Sequence, residues 1–340
     1  MTMVDGSPTL VTGASGYIGR RLCALLDSRG VKVRAQYRRS RPPEELRSME
    51  SPGFELVKAD LSTAAGAADS ARGAGAVIHA AALARDWGKA SDFHSANVEA
   101  TRNLLDAAEA AGCAEFVFVG SIAVHGFGDH ADSSEDGPYY PLRNPYQASK
   151  LEAERMVLDR NRPGFRTSSL RLGYVYGPGD TTSTYRMFDA ASRGFFGYIG
   201  SGRNRTSVIY VDDACAALAS AIGNEAVAGQ RVNIVSGEAI AWRDLAASVY
   251  SSLGLEPRPR RLPVPAAWAA AYAMAIIAGL SGSAAGPSLT PYRIRRSTVE
   301  YVFSNAKARR LLGFSPSVSF DEGLAIAAQA YKSRERGEHD

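Results

Sequence analysis

In Leu10-Val11-Thr12-Gly13-Ala14-Ser15-Gly16-Tyr17-Ile18-Gly19 a short apolar run meets three glycines, and an amphipathic stretch follows through Leu22, Leu25 and Leu26. Strand, glycine-rich turn and helix therefore come in the order that a phosphate-binding unit requires. Gly13 permits the tight turn, Gly16 lets backbone approach a pyrophosphate, and Gly19 lets the helix pack closely on a sheet. The helix N-terminus faces the phosphates, with Ser15, Tyr17 and Ile18 standing between the glycines. These glycines are spaced three and three apart, unlike the two and three of the usual dinucleotide fingerprint. A glycine-rich turn in some other α/β protein is the competing reading of this stretch taken alone.

Beyond it, residues 31–36, 54–57, 76–79 and 116–119 join 9–12 as expected short buried strands. Helical stretches separate them, the clearest at 93–111 and 146–158, and residues 166–172 and 231–235 supply a sixth and a seventh strand. Strands alternating with helices predict an α/β fold, a doubly wound parallel sheet covered on both faces. After Tyr176 the pattern breaks at Gly177-Pro178-Gly179-Asp180, and Pro257, Pro259, Pro263 and Pro265 punctuate a later stretch. The expected organisation is a dinucleotide-binding domain over 1–176, to which 208–235 returns. A smaller, mostly helical substrate-binding domain follows from 177–207 and 236–330, with a charged, frayed tail at 331–340.

The chain of 340 residues carries a net charge of +4, with 45% apolar and 22% charged residues, the profile of an ordinary soluble globular protein. That charge is spread along the chain and makes no case for nucleic-acid binding. Cys23, Cys113 and Cys215 are far apart and in no metal-ligand spacing. A reducing, cytoplasmic setting is expected, and no secretory signal opens the sequence. One segment departs from this profile: residues 266–280 carry no charge, and Trp268, Tyr272, Met274, Ile276 and Ile277 stand there among alanines. At 15 residues the run is shorter than the roughly 20 that a membrane span needs. It is expected to be buried or to line a groove, with peripheral membrane contact as the alternative.

Tyr146-Gln147-Ala148-Ser149-Lys150 puts a phenol and an ammonium one turn apart on one helix face. A free tyrosine titrates near pH 10, and a neighbouring lysine favours its phenolate. Ser121 lies 25 residues upstream in Val119-Gly120-Ser121-Ile122-Ala123-Val124-His125-Gly126. Glycine spacing, serine, tyrosine and lysine together resemble the short-chain dehydrogenase/reductase superfamily, and the whole chain resembles its extended branch. The resemblance implies that Tyr146 exchanges a proton with a carbonyl or hydroxyl oxygen, that Ser121 hydrogen-bonds the same oxygen, and that Lys150 both tunes Tyr146 and binds the nicotinamide ribose. His125 replaces the tyrosine common in this segment and is expected at the pocket wall.

The same resemblance implies that Asp60 and Leu61 contact the adenine, that Ala80, Ala81 and Ala82 let backbone approach the cofactor, and that Asn97 lies near it. Tyr174 and Val175 are expected against the nicotinamide. At the end of the second strand, Val33-Arg34-Ala35-Gln36-Tyr37-Arg38-Arg39 has no carboxylate for the adenosine ribose. Arg38 and Arg39 suit a 2′-phosphate, so NADP is the expected cofactor, with NAD as runner-up and a solvated basic loop as the bland alternative.

Within the superfamily the C-terminal part resembles the 3β-hydroxysteroid and 4-carboxysterol dehydrogenase branch. The residues that carry this likeness are Gly200-Ser201-Gly202-Arg203-Asn204, Tyr210-Val211-Asp212-Asp213, the apolar 266–280 stretch and Leu289-Thr290-Pro291-Tyr292-Arg293-Ile294. It implies hydroxyl–ketone interconversion on a hydrophobic, ring-containing small molecule. A nucleotide-sugar epimerase or reductase remains the alternative, with Arg203, Arg205, Arg293 and Arg295 as candidate diphosphate ligands. A non-catalytic cofactor sensor is disfavoured because tyrosine and lysine are both present, and a sugar dehydratase because no Asp-Glu pair follows Ser121. A homodimer through the helices at 93–111 and 146–158 is also expected.

Overall fold

The computed structural model describes residues 6–280 and 286–337. Seven parallel strands form the main sheet, in the spatial order Arg231–Ile234, Arg166–Leu172, Glu115–Ser121, Ala76–His79, Thr9–Thr12, Val33–Tyr37 and Phe54–Lys58. The chain thus winds from the first strand toward one edge and then back past it toward the other. A crevice for a dinucleotide opens at that switch point. Side chains alternate between faces with the period of two that a strand imposes. Leu10, Val77, Phe116 and Phe118 pack with the helices Ala100–Ala110 and Pro145–Asp159. On the other face Val11, Ile78, Val117 and Val119 pack with Tyr17–Ser28 and Val211–Ala221.

The helix Tyr17–Ser28 buries Gly19, Leu22, Cys23 and Leu26, the spacing of one helical stripe. Pro145–Asp159 begins where the sequence signals it: Asn144 accepts a hydrogen bond from the Tyr146 N–H at 2.9 Å, and Pro145 fills the first turn. The expected helix over 93–111 is instead interrupted. A π-helical turn, His94–Glu99, separates Ala90–Phe93 from Ala100–Ala110. Asn97 sits in that turn with its side chain held by tertiary partners described below.

A second sheet joins Ala239–Ala241, Arg205–Tyr210, Tyr301–Phe303 and His130–Ser133, and Tyr174–Tyr176 pairs with Arg205–Tyr210. The strand Arg205–Tyr210 lies wholly in this sheet, so the return to the main sheet begins with Val211–Ala221 rather than at 208. Arg21 and Asp212 tie that helix to the glycine-turn helix at 2.6 Å. The expected frayed tail does not begin at 331: Phe320–Gly337 is helical, Tyr331 is buried, and Lys332 Nζ donates to the Leu253 carbonyl at 3.0 Å. Residues 338–340 lie outside the described residues.

The uncharged segment forms the helix Val264–Leu280, and its expected burial is corrected. Only Ala267, Ala271 and Ala278 are buried, the first two against Ile294, while Ile276, Ile277 and Leu280 are 64%, 65% and 85% exposed. Trp268 packs partly buried against the same cluster, while the larger side chains toward the end of the helix point outward. Among the described residues no helix is long and apolar enough to cross a membrane.

Candidate active site

The glycine turn has the geometry of a backbone cradle. Gly13 has φ +64°, and a Cβ there would stand 2.7 Å from the Ala81 Cα; at Gly19 a Cβ would stand 2.2 Å from the Gly13 oxygen. The segment Ala80–Ala81 therefore abuts the turn, and the Ala81 N–H donates to Thr12 Oγ1 at 3.2 Å. Gln36, buried at the end of the second strand, holds the turn from below: its Oε1 accepts from the Gly13 N–H at 2.9 Å and its Nε2 donates to the Ala59 carbonyl at 2.7 Å. No side chain caps the helix that starts at Tyr17, so its first N–H groups remain for an anion. A closed cradle, an uncapped helix start and a crevice at the switch point fit a dinucleotide. Tyr17 is placed differently from its neighbours. Its hydroxyl is buried without a hydrogen-bond partner among the described residues, where a Cβ on Gly177 would stand 2.9 Å away.

On the adenosine side, Arg38 and Arg39 are exposed, with no carboxylate partner among the described residues. Asp60 accepts from the Ser62 N–H at 3.0 Å and hydroxyl at 2.9 Å. These bonds, with a smaller contribution from Arg38, hold its carboxyl below the usual range. Ala82 is exposed, whereas the Leu61 side chain lies in the core.

Ser121 ends the fifth strand and Tyr146 opens its helix, both half-buried. Burial raises the Tyr146 phenol above its ordinary value, while the Ser121 side chain and the charge of Arg296 draw it down. The Ser121 hydroxyl also accepts from the Ala123 N–H at 3.2 Å. Lys150 is buried, its ammonium donating to the Val119 carbonyl at 2.6 Å and standing 3.9 Å from the Phe118 ring centroid. Burial depresses it to about 7, against the upward pull of Glu154. The cation felt by the phenol here is thus Arg296, a residue that sequence reasoning missed.

Asn97 joins the cofactor loop to this helix. Its Oδ1 accepts from the Leu83 N–H at 2.7 Å, and its Nδ2 donates to Ser149 Oγ at 2.9 Å, which in turn donates to the Tyr146 carbonyl at 3.0 Å. His79 lies beneath, bonded to Thr12 Oγ1 at 2.7 Å and Thr101 Oγ1 at 3.0 Å. Burial, reinforced by Lys150, lowers it to about 3, so it is neutral at physiological pH. His125 does not reach a pocket wall, contrary to expectation. It is fully buried, stacked on Tyr139 at 4.5 Å, with Nε2 2.8 Å from Arg171 Nη1. Burial and Arg171 lower it to about 3.

A cavity of about 340 Å³ opens beside the helix start, where Asn144, Pro145 and Gln147 flank Tyr146; Trp87, Phe127 and Tyr292 give it aromatic walls. That volume is within the range of small-molecule sites. No residue of Val264–Leu280 lines it, which corrects the expectation that this helix walls the pocket. Instead the helix Pro291–Ser297 covers it, latched by Asp86, which accepts from Thr290 Oγ1 at 2.6 Å and Arg293 Nε at 2.8 Å. Of the four arginines considered for a diphosphate, Arg293 is committed to Asp86 and Arg205 to Glu300. Arg295 lines the cavity and stands over Trp268, and Arg203 is exposed. Tyr174 lies under Arg296, and Val175 pairs with Ile209 in the second sheet.

Residues 9–235, two thirds of the chain, match the NAD dependent epimerase/dehydratase family. The chain belongs to this family. Among its relatives is the 2-alkyl-3-oxoalkanoate reductase of Stenotrophomonas maltophilia, 30% identical over 93% of this chain and 96% of that protein. The 3beta-hydroxysteroid-dehydrogenase/decarboxylase isoform 1 of Arabidopsis thaliana is also 30% identical, over 93% of this chain and 77% of its own length. The solved structure of MoeE5 in complex with UDP-glucuronic acid and NAD superposes with a TM-score of 0.76 at 25% identity, over 96% of this chain and 99% of that one. The protein is an extended short-chain dehydrogenase/reductase, an oxidoreductase that acts on a CH–OH/C=O group.

Proposed function

We propose that this protein is an NADP(H)-dependent ketoreductase that interconverts a hydroxyl and a ketone on a largely hydrophobic substrate. The observation that carries the reading is the Tyr146 phenol under the influence of the Ser121 side chain, with Lys150 one turn along the helix, beside an aromatic-walled cavity. The Tyr146 hydroxyl gives its proton to the carbonyl oxygen of the substrate, or its oxygen takes one from the alcohol. The Ser121 hydroxyl donates to the same oxygen and stabilises the charge developing there. A bound nicotinamide supplies or accepts the hydride. Gly13, Gly16 and the uncapped helix start would hold its pyrophosphate, with Gly19 letting the helix close onto the turn, and Asp60 its adenosine. Arg38 and Arg39, exposed beside Gln36 where an acid would bind ribose hydroxyls, support NADP over NAD. Lys150 lies under the site, seated on the Val119 carbonyl and the Phe118 face.

The epimerase reading would need cations for a diphosphate, and two of the four candidates are already neutralised. Relatives that reduce 3-oxoalkanoates or oxidise hydroxysteroids support an apolar substrate with one reacting oxygen. The test is a panel of 3-hydroxy acids, hydroxysteroids and UDP-sugars incubated with NADP⁺ or NAD⁺ and followed by cofactor absorbance and product analysis. Net cofactor turnover on an apolar compound is expected. Tyr146→Phe should lower it by about 10²-fold or more while leaving cofactor affinity intact. Epimerised sugar without net cofactor change, or near-normal turnover in Tyr146→Phe, would defeat the reading.

A further inference from the structure

Arg296 is a half-buried cation with no hydrogen bond and no carboxylate partner among the described residues. Its neighbour Arg293 is neutralised by Asp86, and buried Arg171 by Glu154. A partly desolvated guanidinium without a counter-charge is costly, and such groups ordinarily await one. Its position ties it to the site. Tyr292 and Arg296 lie one turn apart on the helix Pro291–Ser297, and Tyr292 lines the cavity together with the residues that flank Tyr146. Arg296 stands 3.9 Å from the Tyr174 ring centroid and 5.5 Å from that of Trp242. Tyr174 lies two residues beyond Leu172, the register partner of Ser121. Arg296 also draws down the phenols of Tyr146, Tyr174 and Tyr292, as a charge facing the reacting centre does.

We infer that Arg296 binds an anionic group of the substrate, a carboxylate close to the reacting carbon, so that the preferred substrate is a 3-hydroxy or 3-oxo acid rather than a neutral ketone. With one face of the guanidinium covered by Tyr174, its N–H edge remains for a planar, bidentate partner, which a carboxylate is. A diphosphate offers the same charge chemistry and would also meet Arg143 and Arg295, which line the cavity, so UDP binding is scored in the test.

This assignment rests on the ketoreductase reading, and the test separates the two. A 3-hydroxy acid with a hydrophobic 2-alkyl chain and its neutral methyl ester are oxidised with NADP⁺; the alcohol direction is used because 3-oxo acids shed carbon dioxide. Wild type should prefer the acid. Arg296→Met should lower kcat/KM for the acid by about 10–100-fold, the range of a lost bond to a charged group, and leave the ester within about threefold. Arg296→Lys should keep the fold and restore part of the preference. Thermal melts with NADP⁺ identify a variant that fails to fold, and the lysine variant then decides alone. An equal loss on acid and ester would make Arg296 a structural residue and overturn the assignment. So would unchanged acid preference, or loss of UDP binding in Arg296→Met with no discrimination between acid and ester. Turnover of neither compound by wild type, with epimerisation of a UDP-sugar, would instead remove the ketoreductase reading itself.

Discussion

Glu154→Gln removes one negative charge from a place that water cannot reach. Glu154 and Arg171 are 1% and 0% exposed, and the guanidinium donates to the carboxylate through Nε at 2.8 Å and Nη2 at 2.5 Å. Ser169 Oγ adds a third bond at 2.7 Å. With an amide in place of the carboxylate, Arg171 keeps only dipoles: the His125 ring, the Glu135 carbonyl and the Tyr139 hydroxyl. Breaking a buried pair from one side costs about 3–5 kcal/mol, and glutamine, which preserves the shape and one acceptor, belongs at the lower end. The cost depends on pH. Burial pushes the Glu154 carboxyl up, but the hydrogen bonds and charge of Arg171 outweigh it, and the net shift is downward. A carboxyl lowered in the folded state stabilises above its unfolded pKa, about 4.3, and that stabilisation is lost as pH falls through the folded value. Wild type and variant should therefore differ fully at neutral pH and converge in acid.

The same variant has a second readout. Glu154 lies one turn beyond Lys150 and opposes the burial that depresses the ammonium to about 7. Without that charge Lys150 should lose its proton at lower pH, and the alkaline limb of the kcat/KM profile should move the same way. Urea unfolding at neutral and acid pH measures the first effect, and steady-state kinetics across pH the second. A loss below about 1 kcal/mol at neutral pH, or one that does not shrink in acid, would refute the reasoning that Arg171 depends on this charge.

Two further outcomes follow from exposed features. Arg38→Glu should turn a preference for NADPH into one for NADH, and in wild type added salt should narrow the gap between the cofactors, read by fluorescence titration; equal affinities across the salt series would make the basic loop plain solvated surface. Peripheral membrane contact, the alternative reading of the sequence at 266–280, predicts sedimentation with phospholipid vesicles that Ile276→Asp with Ile277→Asp abolishes; equal pelleting of both proteins would discard it.

What was legible in the sequence was set within a few residues of itself. Gly13 and Gly19 announce a turn because no other residue fits φ +64° at one and a 2.2 Å approach at the other. Asn144-Pro145 announces a helix start because cap and first turn are neighbours in the chain. The alternation of Leu10 with Val11, and of Phe116 with Val117, carries the two faces of the main sheet. The π-helical turn around Asn97 was not legible, because its partners Leu83 and Ser149 meet it only in the folded chain.

The two misread segments show the same division from opposite sides. Residues 266–280 read as buried because hydrophobicity was counted without knowing what stood opposite; Ile294 and its neighbours take up Ala267, Ala271 and part of Trp268, and Tyr272, Ile276, Ile277 and Leu280 face out. His125 read as a pocket residue because it stands where the resembled family commonly has a tyrosine, yet Arg171 and Tyr139 draw it inward. Electrostatics extends the point to the catalytic phenol. Its position one turn from Lys150 is local and was readable. The cation that acts on it arrives with the helix Pro291–Ser297, whose arginines look interchangeable in sequence. Only packing separates them, by giving Asp86 to Arg293, Trp268 to Arg295, and the face of Tyr174 to Arg296. Chemistry at this site is therefore divided between a local motif that sets the reaction and a distant helix whose packing sets the charge a substrate meets.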